Sequence, residues 1–428
     1  MSITGYTSKP AGHALTNLDE IANPDTSATD LSSRSDAMTT RTDPDGLLVN
    51  GPFAPGSWAD PYAYYAELRH REPVLPIDPP GHYAVARYSS VVQILKRPDL
   101  FSSTVMAQAD PTLLGADPPA HTRVRRIINP SFSSSRIAAL EPRIRAITAE
   151  LIGRILPRGE GELIADLAVP LPASVIAEIL GIDPERYDVF KRWSGAAILR
   201  ATGNPRAGQY DDSSRDNAEF HRFFAGLARE QRDGLSGDDS LMSTLAREQT
   251  LNTRELLHLS RLLLVAGNET TTNLIGNTLL ALLRNPPEFE RVLADLTLLP
   301  AVIEETLRYD APVQLLRRLV TRDVEVDGTT IPAGSIVVPL LGSANRDEEI
   351  FPNPDRFDPA RRARGHIAFG TGPHYCLGAH LARLEAKIAI EAILTQIPNL
   401  RLKDNQVARA NSMQLRGLAR LPVTFEPA

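Results

Sequence analysis

The chain has 428 residues, 42% of them hydrophobic, with a formal net charge of −6 and a pI near 5.9. That apolar share is enough for a large buried core, and the lack of any long basic run argues against nucleic-acid binding. The single cysteine excludes an intramolecular disulfide and fits a reducing setting. No segment approaches the roughly 18–20 apolar residues of a membrane span, and the N-terminus lacks a basic-then-apolar signal pattern. A soluble, cytoplasmic protein is expected.

Residues 1–45 are rich in Ser, Thr, Asp, Asn and Ala, and bury too little to offset ordering entropy, so a disordered tail is expected. Residues 46–428 read as one domain without repeats or linkers. Asp60 followed by Pro61 starts a helix through Tyr62, Tyr65 and Leu68. His82–Arg87 alternates as a strand, and Ser89 or Ser90 caps a helix that Pro98 ends. Asp117–Pro118–Pro119 opens a helix on which His121 and Arg125, four apart, share a face suited to an anion. Arg123 and Arg126 give that helix a solvated basic side.

The pattern stays helical to about Arg308. Asn252 and Glu255 form a capping-box start to a helix of about 32 residues, spanning roughly 48 Å; Asn285–Pro286–Pro287 ends it. Its middle reads Ala266–Gly267–Asn268–Glu269–Thr270–Thr271–Thr272, a poor helical run that predicts a local distortion. A carboxylate beside a hydroxyl in an apolar helix suits proton transfer. Glu305 and Arg308 then share one helix face. Asp327–Gly328 reads as a tight hairpin turn after Val324 and Val326, and Ser335–Leu341 as a further strand.

The segment Phe369–Gly–Thr–Gly–Pro–His–Tyr–Cys376–Leu–Gly378 precedes a helix with Leu381, Leu384, Ile388 and Ile390 at helical spacing. Cys376 therefore sits at a helix N-terminus, where the dipole and free N–H groups favour a thiolate. Gly370, Gly372 and Gly378 allow unusual φ values and a close approach by a flat ligand. The whole reads as mainly α with small β-sheets.

This glycine-rich cysteine loop resembles the haem-binding signature of the cytochrome P450 family. So do four other features in family order: the His121–Arg126 helix, the Ala266–Thr270 stretch, Glu305-x-x-Arg308, and Phe351–Phe357. The resemblance covers about residues 50–428 and implies the cytochrome P450 fold with haem b. It makes Cys376 the axial thiolate and metal ligand. His121, Arg125, Arg318 and His374 become propionate contacts, with Phe369 and Gly378 at the loop. Glu269 and Thr270 become the proton-delivering pair. Glu305, Arg308 and Arg356 form a structural network. Leu262, Val265, Ala266, Leu315 and Leu316 line the substrate pocket, and Phe101–Ala116, with Met106, Gln108, Leu113 and Leu114, forms a lid. The implied activity is monooxygenation of a small organic substrate, in secondary metabolism by analogy with soluble relatives. No flavin or dinucleotide module accompanies the domain, so electrons come from a ferredoxin and its reductase, with Arg126 as a candidate docking residue. Three alternatives stay open: a peroxide-driven peroxygenase, a coupling or rearrangement catalyst, and a haem-thiolate sensor without turnover.

Overall fold

The computed structural model describes residues 60–107, 110–182, 251–403, 407–410 and 412–427, with parts of 183–250 that include the helix Ser213–Arg232. All belong to one compact unit, Leu47–Ala428. The expected 1–45 tail lies outside the described residues.

The helix Thr253–Arg284 forms the axis of the helical half. It packs against Pro170–Ile179, Ala379–Gln396, Leu299–Tyr309 and Ser213–Arg232. From Thr271 to Leu282 every residue is buried, so this stretch is a core element rather than an amphipathic surface helix. Its capping box forms as read: the Asn252 carboxamide accepts from the Glu255 N–H, and Glu255 accepts from the Asn252 N–H at 2.9 Å.

The predicted distortion is not there, and helix runs through the whole span. The hydroxyls explain why. Ser260, Thr270 and Thr278 donate to the carbonyls four residues earlier at 2.7–2.8 Å, and Thr272 donates to Ala168 O at 2.8 Å. Side chains that compete with helix in isolation are thus satisfied within it.

The second layer is a five-stranded sheet in the order Val74–Ile77, His82–Val85, Ile336–Pro339, Arg318–Val320, Phe101–Ser102. Its one parallel pairing sets His82 opposite Ile336. The Asp327–Gly328 hairpin forms, with φ of 46° and 74° at the two turn residues. A three-stranded sheet joins Glu160–Glu162, Pro422–Thr424 and Arg401–Leu402.

The helix expected to start at Ser89 or Ser90 begins at Tyr88 instead. Its N-terminal cap is remote in sequence: Tyr88 N donates to the Asp347 carboxylate at 2.8 Å. Ser90 bonds Asp327 at 2.6 Å.

Candidate active site

The cysteine loop is a tight turn wound on its own backbone. Cys376 N donates to Phe369 O at 2.9 Å, and Gly370 N to Ile367 O at 2.8 Å. Gly370 and Gly372 hold φ of 70° and 74°, which only glycine adopts without strain. A Cβ on Gly372 would also lie 2.6 Å from Leu95 O. Gly378 departs from expectation: its φ is an ordinary −86°, and its contribution is an N–H on the Cys376 sulfur.

Burial pushes the Cys376 thiol up, outweighing that N–H and the guanidiniums of Arg125 and Arg383. The Gly378 N–H at the start of the cysteine helix and the two guanidiniums act the other way, toward the thiolate. A cation bound at the sulfur would add to those groups in holding it ionised.

Four cationic or protonatable groups gather near the loop. His121 is 3% exposed, its Nε2 has no partner among the described residues, and its ring stands 4.1 Å from that of His374. His374 Nε2 meets Ser103 Oγ at 2.9 Å. Arg125 donates to Tyr375 O at 3.0 Å. Arg318, placed by its strand, is 3% exposed and donates to Arg317 O at 2.8 Å. All four are pushed toward their neutral forms, chiefly by burial: His121 and Arg125 downward, His374 to about 3 and Arg318 to about 10. The nearby carboxylate, Asp117, is engaged by Ser102 Oγ at 2.5 Å and Ser103 N at 2.9 Å. The cluster joins two guanidiniums to a buried imidazole nitrogen that has no partner among the described residues, a donor set suited to bound carboxylates.

On the long helix, Glu269 and Thr270 are half-buried while Ala266 is exposed. An exposed alanine in mid-helix, with fully buried turns following it, marks an open space beside this stretch.

The cytochrome P450 family profile matches residues 210–426. Cytochrome P450 107B1 of Saccharopolyspora erythraea is 37% identical, covering 90% of this chain and 99% of its own. Cytochrome P450 monooxygenase PikC of Streptomyces venezuelae is 36% identical, covering 92% and 97%. The solved structure of cytochrome P450 CYP109Q5 from Chondromyces apiculatus superposes with a TM-score of 0.81 at 38% identity, covering 88% and 98%. The chain belongs to the cytochrome P450 family.

It is a cytochrome P450 monooxygenase with haem b as cofactor. The residues present fit that group. A lone cysteine on a glycine loop, beside two arginines and a buried His121 Nε2 without a partner among the described residues, matches an iron bearing two propionates.

The network behind the cysteine loop differs in one member from the expected set. Arg308 and Glu305 are fully buried and joined by two hydrogen bonds, of 2.7 and 2.8 Å. The third guanidinium is that of Arg361, 3.4 Å from Glu305. Arg356 supplies only its main-chain carbonyl, which accepts from Arg308 at 3.2 Å, while its side chain is exposed. The Arg361 guanidinium is held in place there by the main-chain carbonyls of Asn353 and Arg356, at 2.9 and 3.3 Å.

The pocket candidates divide. Leu262 and Val265 are half-buried beside Ala266. Leu316 is half-buried against the sheet cluster. Leu315 is 1% exposed and packs with Tyr62, Tyr65, Val338 and Leu340, so it is core rather than lining. In the loop read as a lid, Gln108 lies outside the described residues. Leu113 is 6% exposed and belongs to the main core. The carboxylate of Asp110, 2% exposed, accepts three N–H groups, from Thr112, Leu113 and Leu114, and folds the segment onto itself. Arg123 is not part of a free basic face, because it is ion-paired with Glu255. Arg126 remains exposed.

Two groups were missed in the sequence. Glu304, next to Glu305, binds Arg383 and His366. Glu385 is 2% exposed within the apolar face of the cysteine helix, and burial pushes its carboxyl up to about 8. Its offset of four from Leu381 was the available signal, because it put a charge on the core stripe.

Proposed function

We propose that this enzyme hydroxylates a bulky, mostly apolar organic molecule, with Cys376 as the iron ligand and with electrons from a ferredoxin and its reductase. The observation that carries the reading is the cluster of His121, Arg125, Arg318 and His374 beside the cysteine loop, in which the buried His121 Nε2 has no partner among the described residues. Arg125, Arg318 and the two histidines would hold the propionates by charge-assisted hydrogen bonds. Bound there, haem supplies the dioxygen chemistry: two electrons and two protons send one oxygen atom into a C–H bond and the other out as water.

The protein's part is to place the substrate and meter protons. The Thr270 hydroxyl donates to Ala266 O at 2.7 Å, so its oxygen is left to accept a hydrogen bond from water. Glu269, one residue earlier, is the acid that passes protons inward. Leu262, Val265 and Ala266 offer an uncharged wall, which suits an apolar substrate. Three relatives favour the steroid class. These are a vitamin D(3) 25-hydroxylase of Pseudonocardia autotrophica at 36% identity, a steroid C26-monooxygenase of Mycobacterium tuberculosis at 34%, and CYP109E1 of Bacillus megaterium in complex with testosterone at 34%. No described helix is long and apolar enough to cross a membrane, and a cytoplasmic site of action is part of the proposal.

The decisive measurement is the spectrum of the reduced enzyme under carbon monoxide. A red-shifted band in the wild type that is lost in Cys376→Ser is expected; an unchanged band in the variant rejects the ligand. Titrating steroids against the ferric enzyme should give a low-to-high-spin shift, followed by one hydroxylated product. Glu269→Gln should slow turnover by about 10²-fold, and Thr270→Ala should divert reducing equivalents from product. Turnover with peroxide but not with reduced ferredoxin would favour the peroxygenase reading.

A further inference from the structure

The helix Leu299–Tyr309 carries two adjacent carboxylates with different partners. Glu305 faces Arg308 and Arg361. Glu304 reaches across to the cysteine helix, where both of its oxygens engage Arg383: Oε1 accepts from Nε at 2.5 Å and Oε2 from Nη2 at 3.0 Å. This bidentate fork fixes the guanidinium plane as well as its position. His366 Nε2 lies 3.0 Å from the same Oε2, so the carboxylate is gripped from a second segment. Burial would raise Glu304, yet the bonds from His366 and Arg383 hold it down at about 2.

The clamp aims Arg383 at the cysteine loop. Its guanidinium carbon stands 4.4 Å from the centroid of the Phe369 ring. Phe369 is the residue whose carbonyl accepts the Cys376 N–H at 2.9 Å. The same guanidinium acts electrostatically on the Cys376 sulfur, favouring its ionised form. A fixed positive charge thus stands against the residue whose carbonyl accepts the Cys376 N–H. It is only part-exposed, its side chain 29% accessible, so water screens it incompletely.

We infer that Arg383, held by Glu304, is a positioning residue that raises the reduction potential of the haem iron by placing a fixed positive charge beside the Cys376 thiolate. The inference rests on Cys376 being the iron ligand. A cation near the sulfur draws electron density from the bond and favours the ferrous state, which carries one negative charge more than the ferric state. Arg383 gives up little of this role to solvent reorganisation, because fork and ring hold it in place. Glu304 lies behind the guanidinium and partly cancels it, so the two residues have opposite signs of effect.

The test is a reductive titration of the holoenzyme with dithionite and mediator dyes, without a protein redox partner, on the wild type, Arg383→Gln and Glu304→Gln. Each sample is also examined under carbon monoxide after full reduction. Arg383→Gln should lower the ferric-to-ferrous equilibrium constant about tenfold, which is 59 mV for one electron. Glu304→Gln keeps an amide to bond the guanidinium but loses the counter-charge, so its constant should rise, by a smaller factor. A red-shifted carbon monoxide band retained in both variants shows the thiolate still bound. With that band retained, unchanged potentials in both overturn the inference and make the pair a structural clamp. A shift of the same sign in both also overturns it, since that pattern reports a general loosening of the loop. A missing band in the wild type would instead reject the thiolate ligand itself. If Arg383→Gln fails to take up haem, the sign of the Glu304→Gln shift decides.

Discussion

Two groups of basic side chains in this P450 serve opposite ends. One gathers around Asp310, at the end of the Leu299–Tyr309 helix. Arg409 reaches its carboxylate at 2.6 Å, Arg416 also bonds it, and the Tyr62 hydroxyl donates to it at 2.9 Å. Arg346 lies over the rings of Tyr62 and Tyr309, 3.4 and 3.9 Å from their centroids, and donates to Tyr309 O and Asp355. Burial alone would raise the Asp310 carboxyl and lower Arg416; the partners reverse both, holding Asp310 well below and Arg416 well above their ordinary values. The other group, His121, Arg125, Arg318 and His374, is shifted wholly toward neutrality. A cluster that completes its own charge is structure. A cluster left short of charge is waiting for a ligand.

The comparison can be broken by exchanging roles. The largest effect belongs to Asp310→Asn, which strands Arg409 and Arg416 in a buried site and should cost about 3–5 kcal/mol of stability by urea denaturation. A cost under about 1 kcal/mol would mean that the cluster is not closed. Because the Asp310 and Glu304 carboxyls are depressed, their contribution is present above about pH 4 and lost as pH falls below it, so that cost should shrink in acid.

Glu385 extends the contrast to a carboxyl without a counter-charge. Between about pH 4.5 and 8 the folded protein keeps a proton that the unfolded chain has released, so stability falls as pH rises through that window and levels off above it. Glu385→Gln should remove this slope and stabilise the enzyme by on the order of 2–4 kcal/mol at pH 9 relative to pH 4. A wild-type-like slope in the variant would show that the carboxyl finds a partner when it ionises.

Arg318→Leu should behave unlike Asp310→Asn. The haem-free chain should change by less than about 1 kcal/mol, because a desolvated charge is removed, while haem should dissociate roughly tenfold faster for a lost bond worth about 1.5–3 kcal/mol. Equal destabilisation of both forms would make Arg318 a structural residue. The smallest effect separates the two meander arginines. Arg361→Ala should cost about 1–2 kcal/mol, and Arg356→Ala should stay within about 0.5 kcal/mol.

Much of the fold was legible in the residues. The capping box of Asn252 and Glu255, the Asp327–Gly328 hairpin, the strand at His82 and the helix after Cys376 each rest on local chemistry, and each forms. What failed were readings that left out a side chain's partner. Tyr88 starts its helix because Asp347 caps it from 259 residues away. The Ala266–Thr272 run stays helical because its hydroxyls find carbonyls. Leu315 and Leu316 are adjacent, and only packing decides that the first is core.

By itself, the sequence determined the family, the cysteine and its glycine loop, the long helix and the candidate acid and hydroxyl upon it, because each is written in a spacing that local geometry must obey. Only the tertiary structure decided which arginine answers Glu305, which cations go unanswered, and that Glu304 holds Arg383 against the cysteine loop. Those depend on charge and burial summed over segments far apart in the chain, where a contact exists only once the core has brought its partners together.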